Sequence, residues 1–165
     1  MDSSVNLPNI NLRSARLDNI RAEIGEDSKS EGGTLAISVN TSLVQIGDSN
    51  QAEGNVEIIV IAFPKGVDVK QKKKFAFKIQ LESEGIFEWA KGYKPNLEDE
   101  STEEALLQSL YVLAVTEAIN IGHKLGFSGL SIPLDFKKNK ALSAKSSSVI
   151  ASSKKVRSAS KIKQA

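Results

Sequence analysis

The sequence predicts an α+β fold: a four-stranded antiparallel sheet packed by one long helix, with a short second helix after it left open. Two observations carry this. Apolar residues recur with a period of two through the first ninety residues, and with a helical period after about residue 100. Runs of strands followed by a helix belong to the α+β class, with the helix laid on an antiparallel sheet.

The elements follow in order. Residues 1–12 read as a loose arm, and 13–24 as a mixed, moderately strand-like run. EDSKSEGG (26–33) has turn composition. In TLAISVNTSLVQI (34–46), Leu35, Ile37, Val39, Thr41 and Leu43 fall on one face and Ala36, Ser38, Asn40 and Ser42 on the other. GDSNQAEG is turn-rich. NVEIIVIAF (55–63) is apolar on both faces, as suits a central strand. PKGVDVKQKKK is a charged connection into a fourth strand, KKFAFKIQLESEGIFEWA, interrupted at Gly85. Glycine within a strand marks a bulge, a bend or a close backbone approach. Ser101 with Glu104 three residues on fits a capping box. Leu107, Tyr111, Ala114, Ala118, Ile121 and Leu125 then recur at helical spacing, and Gly126 is placed to end the helix. The first half of this helix is apolar nearly all round, so it needs cover on more than one side.

At 165 residues the chain suits one domain with a core that needs no staples. It has no cysteine, which removes disulfides and thiolate metal sites. The stretch MDSSVNLPNINL lacks the basic start and apolar run of a signal peptide, and the apolar region 105–115 is short for a bilayer; a cytoplasmic protein without membrane insertion is expected. Charge divides unevenly. Nine of the 22 basic residues and none of the 20 acidic ones lie in 137–165, leaving the body at net −7 (13 basic against 20 acidic). This Ser-rich tail is expected to be disordered or partly helical.

Chemistry is sparse. The single histidine, His123, suits the end of a helix better than a catalytic role. No metal spacing, phosphate loop or dinucleotide fingerprint is present. We therefore expect no enzyme, no catalytic residue, no metal and no cofactor.

The segment QLESEGIFEWAKG, the strand order before it, and the helix followed by GLSIPLDF together resemble the SecB family of export chaperones. The resemblance covers residues 13–136 and rests on Gly85-Ile86-Phe87 and on Pro133-Leu134-Asp135-Phe136. It implies the four-stranded sheet and crossing helix, and pairing of protomers into dimers that meet through their long helices. Leu106, Leu110, Leu113 and Glu117 are the helix positions assigned to that contact. It further implies an ATP-independent holdase that binds non-native polypeptide in apolar grooves. Leu35, Ile37, Val39, Leu130, Ile132, Leu134 and Phe136 are the matching positions, with Trp89 at the rim. For the second-strand residues, core packing and groove lining stay equally open.

Two departures bear on the client. The stretch KKNKALSAKSSSV is basic and poor in apolar residues where the family has a second, groove-flanking helix. Asp18 and Glu23 match the first-strand acids that the family presents to the SecA motor, but Gln80 stands in the fourth strand and the tail is basic. Docking to SecA is not expected to carry over. SecB-like proteins also protect aggregation-prone antitoxins of toxin–antitoxin systems, so exported preproteins and an antitoxin both remain as clients. The alternative reading is a nucleic-acid or acidic-surface binder acting through the tail, although the tail offers no aromatic residue for base stacking.

Overall fold

The computed structural model describes residues 9–26, 33–67 and 74–136. Four strands precede one helix: β1 (Ile10–Ile24), β2 (Gly33–Gln45), β3 (Gln51–Pro64), β4 (Phe77–Trp89) and α1 (Glu100–Lys124). The sheet order is β1-β4-β3-β2, and every neighbouring pair is antiparallel. The expected α+β architecture is therefore observed. The tail 137–165, much of the loop over 26–33 and part of the connection 64–74 lie outside the described residues, as does any second helix after Phe136.

The central strands follow their sequence. In β3 the even positions Ala52, Gly54, Val56, Ile58, Val60 and Ala62 are buried under α1. In β4 the odd positions Phe77, Ile79, Leu81, Ser83, Gly85, Phe87 and Trp89 do the same. The odd positions of β3 from Gln51 to Ile61 are half-buried or exposed and only Phe63 at the strand end is buried, so the second face is less covered than its apolar composition suggests. β1 begins at Ile10, inside the stretch read as an arm, because Ile10, Asn11 and Leu12 pair with Trp89, Glu88 and Phe87.

Gly85 does not break β4, which runs unbroken from Phe77 to Trp89. Of the three roles open to that glycine, close approach is the one found. Gly85 pairs with Gly54 of β3. A Cβ on Gly85 would meet Leu110 Cδ2 at 2.7 Å and Leu12 Cδ1 at 2.9 Å, and one on Gly54 would meet Phe87 at 2.7 Å and Leu107 at 2.9 Å. The two glycines make the seat into which α1 lowers Leu107 and Leu110.

Helix α1 starts two residues before the capping box predicted at Ser101. Asp99 is the N-cap, its carboxylate accepting from the Thr102 N–H at 3.0 Å, the Thr102 hydroxyl at 3.1 Å and the Ser101 hydroxyl. Three donors on one carboxylate outweigh a serine cap. They also hold the Asp99 carboxyl below its ordinary pKa, with the Ser101 hydroxyl as the largest cause. The other end closes as predicted at Gly126, which has φ +94°. Its N–H bonds to the His123 carbonyl and that of Phe127 to the Gly122 carbonyl, the paired bonds of a Schellman cap.

The helix is 25 residues long with a mean hydropathy of 1.4 in its most apolar window, long and apolar enough by composition to cross a membrane. The shorter run 105–115 had not suggested that. Here nine of its residues are buried within the chain, the arrangement of a core helix. The Ser83 hydroxyl beneath it donates to the Leu110 carbonyl at 2.8 Å, which satisfies a polar group in the middle of the core.

Candidate functional site: the open flanks of the helix

One helix is narrower than four strands. α1 lies over β3 and β4 and touches β1 and β2 only marginally. The helix-facing side of each outer strand is therefore incompletely covered. On β2, Leu35, Ile37, Val39 and Leu43 pack against the core yet remain half-buried. On β1, Leu12 and Ile24 are exposed at 40% and 54%. The apolar surface of each flank is continuous with the core.

The β2 flank is the regular one. Its register with β3 runs from Gly33↔Pro64 to Gln45↔Ala52 without a slip. Its end near the helix start is acidic. The Thr41 hydroxyl donates to Glu103 at 3.2 Å. Glu98, Asp99, Glu100, Glu103 and Glu104 crowd the first turn, and no Lys or Arg occurs from Pro95 to His123.

The segment after the helix turns back along α1. Tyr111 donates to the Pro133 carbonyl at 2.7 Å, and its ring packs on Phe136 at 5.4 Å. Gln108 clamps the segment twice, donating to the Leu134 carbonyl at 2.8 Å and accepting from the Phe136 N–H at 3.1 Å. Gly122 gives room to Leu130, whose Cδ2 would stand 2.5 Å from a Cβ there.

The residues predicted for client binding are thus placed differently from one another. Leu35, Ile37 and Val39 line the open β2 flank, Leu130 is half-buried, and Leu134 is exposed at 52%. Ile132 and Phe136, in the returning segment, are buried against the core. Trp89 is buried at the end of β4, opposite Ile10, with its carbonyl accepting from the Asn50 side chain at 2.5 Å. Of the helix positions assigned to subunit contact, Leu106 and Leu110 turn to the core, while Leu113 and Glu117 are half-buried. Helical spacing instead puts Ala105, Ser109, Val112 and Thr116 on the outer strip, half-buried or exposed and without a charge. Leu106, Leu110 and Leu113 are large apolar residues of this stretch, whereas the outer strip is marked in the sequence only by its lack of charge.

The opposite sheet face is mostly polar, with Ile59, Ile61 and Ile86 half-buried among charged residues. Arg16 pairs with Glu84 at 2.5 Å and Arg13 with Glu88 at 2.6 Å. Glu84 holds the Arg16 guanidinium above its ordinary pKa, chiefly by the hydrogen bond and then by charge. A recess of about 280 Å³ there is lined by Ser14, Arg16, Glu53, Glu84 and Ile86, with no histidine or cysteine among its residues. Among the described residues no group of three His, Cys, Asp or Glu is arranged to hold a metal.

A sheet of order β1-β4-β3-β2 crossed by one long helix is the SecB-like fold, and a solved structure shares it. The chain is similar to a SecB-like chaperone of Mycobacterium tuberculosis, solved in complex with a ChAD peptide from the HigA1 antitoxin. The TM-score is 0.58 and the identity 14%, covering 76% of this chain and 89% of that one. No family model matches the sequence, and no curated protein does.

Proposed function

We propose that the protein is an ATP-independent holdase that keeps a non-native polypeptide soluble by covering its apolar segments. The observation that carries this is the flank between α1 and β2, where Leu35, Ile37, Val39 and Leu43 are half-buried. Burying such surface gains about 25 cal/mol per Å² and is non-directional, so it suits clients defined by apolarity. The shared fold and the peptide held by the mycobacterial neighbour support the same reading. That neighbour makes an antitoxin the favoured client over an exported preprotein. The reading is of a binding protein and not of an enzyme.

We further propose that two copies, or two pairs of copies, meet through the outer strip of α1. Ala105, Ser109, Val112 and Thr116 are small or medium-sized and uncharged, and they let helices approach closely.

The test is light-scattering mass in ATP-free buffer, with and without an unfolded, aggregation-prone polypeptide. A tetramer or dimer that holds the polypeptide in a soluble complex supports the reading. A monomer beside a precipitated polypeptide overturns both parts, and salt-sensitive RNA binding by that monomer would favour the basic tail as the working part.

A further inference from the structure

The two outer strands of the sheet end it in different ways, and the difference points to how a client is held. Ile46 N–H bonds to the Gln51 carbonyl at 2.9 Å, which makes that pair a hydrogen-bonded one. The register continues without a slip through Val44↔Glu53, Ser42↔Asn55, Asn40↔Glu57, Ser38↔Ile59 and Ala36↔Ile61. In an antiparallel ladder, hydrogen-bonded and non-bonded pairs alternate. The even residues of β2 therefore turn their N–H and C=O groups to β3. The odd residues Leu35, Ile37, Val39, Thr41 and Leu43 turn theirs outward, and among the described residues no strand pairs with that edge.

These are the same residues whose side chains face the open flank. Side chain and backbone recognition thus coincide on one row. The edge carries none of the usual guards. GTLAISVNTSLVQ has no charged residue, no proline and no bulge over 13 residues. β1, by contrast, has register slips between Leu12 and Ser14 and between Asp18 and Arg21, and five charged residues.

Resting on the holdase reading, we infer that β2 takes its client by strand addition. An extended segment joins the edge antiparallel, as every pair in this sheet is, and puts alternate apolar side chains under the flank of α1. Charge sets its polarity. In that orientation the N-terminal end of the segment lies at Thr41 and Leu43, beside Glu103 and the acidic first turn of α1. The occupant is thus an extended peptide of alternating apolar residues with a basic residue at its N-terminal end.

The probe is a capped peptide, Lys-Ser-Val-Ser-Val-Ser-Val-Ser-Val, in three forms: unmodified, N-methylated on the valines, and N-methylated on the serines. Binding to the full chain is read by fluorescence anisotropy. With antiparallel addition the valine nitrogens face β2, so methylating them weakens binding by about tenfold or more, while methylating the serines leaves it. Equal binding by all three forms overturns strand addition but leaves the groove and the holdase reading standing. Failure of every form, together with precipitation of an unfolded polypeptide in the presence of the protein, overturns both. V39P gives the reciprocal test. It removes an outward N–H that no ladder uses, a place where an edge strand tolerates proline. Its melting temperature stays near that of the parent while unmodified-peptide binding falls about tenfold. Unchanged binding by V39P counts against the inference.

Discussion

β1 and β2 occupy equivalent places, one at each edge of the same sheet, and they are built in opposite ways. β1 is bulged twice, places Asn19 at φ +50° and carries charges tied to its neighbour by Arg13–Glu88 and Arg16–Glu84. β2 is uninterrupted and uncharged. A bulged, charged edge resists further pairing, and a flat, neutral one invites it. A sheet edge is thus not open or closed by position alone; its side chains decide.

The most damaging way to break this comparison is to remove what both edges depend on. L110A empties the seat over Gly54 and Gly85 and should cost about 2–5 kcal/mol, seen in chemical denaturation, with both flanks loosened together. Next comes a charge in the neutral edge. V39K should weaken client holding by about tenfold or more in an aggregation assay, whereas I20K on β1, where Ile20 is already 49% exposed, should leave holding intact. Equal loss in both variants would mean that the edges do not differ in function. A smaller effect is expected from S83A, which removes the buried bond to the Leu110 carbonyl and should cost about 1 kcal/mol without favouring either edge.

The smallest effects are electrostatic. The Asp99 carboxyl titrates lower in the folded chain than in the unfolded one, so its stabilisation is complete above the unfolded carboxylate range. It disappears as pH falls through the folded value. D99N keeps a cap but does not titrate, so its melting temperature should fall less than the parent's on acidification below about pH 4. R16A, at an exposed pair on the polar face, should leave melting and client holding nearly unchanged.

The central strands and the helix were legible because their signals are local. Odd and even positions of β4 alternate as the sequence does, and Gly126 closes the helix where its position indicated. The structure moves the N-cap to Asp99 although Ser101 with Glu104 fits the capping box and Asp99 does not, because the Thr102 N–H and hydroxyl both bond to the Asp99 carboxylate. The slips in β1 were not legible, since a register exists only between two strands. The resemblance put Phe136 in the groove and Trp89 at its rim, but partners far away in sequence, Tyr111 and Ile10, place both in buried positions. The half-burial of Leu35, Ile37 and Val39 depends on where α1 comes to rest, which is again a property of the assembled sheet.

The glycine pair sets that resting place. Gly54 and Gly85 face each other on the two central strands beneath Leu107 and Leu110, so the height at which α1 rests on them bears on both flanks. They act as a gauge block under a clamp. G54A or G85A would touch no client, yet would raise the bar that defines the opening. Under the holdase proposal, a methyl group at the centre of the sheet would then change the width of both flanks, with Leu35, Ile37 and Val39 left as they are.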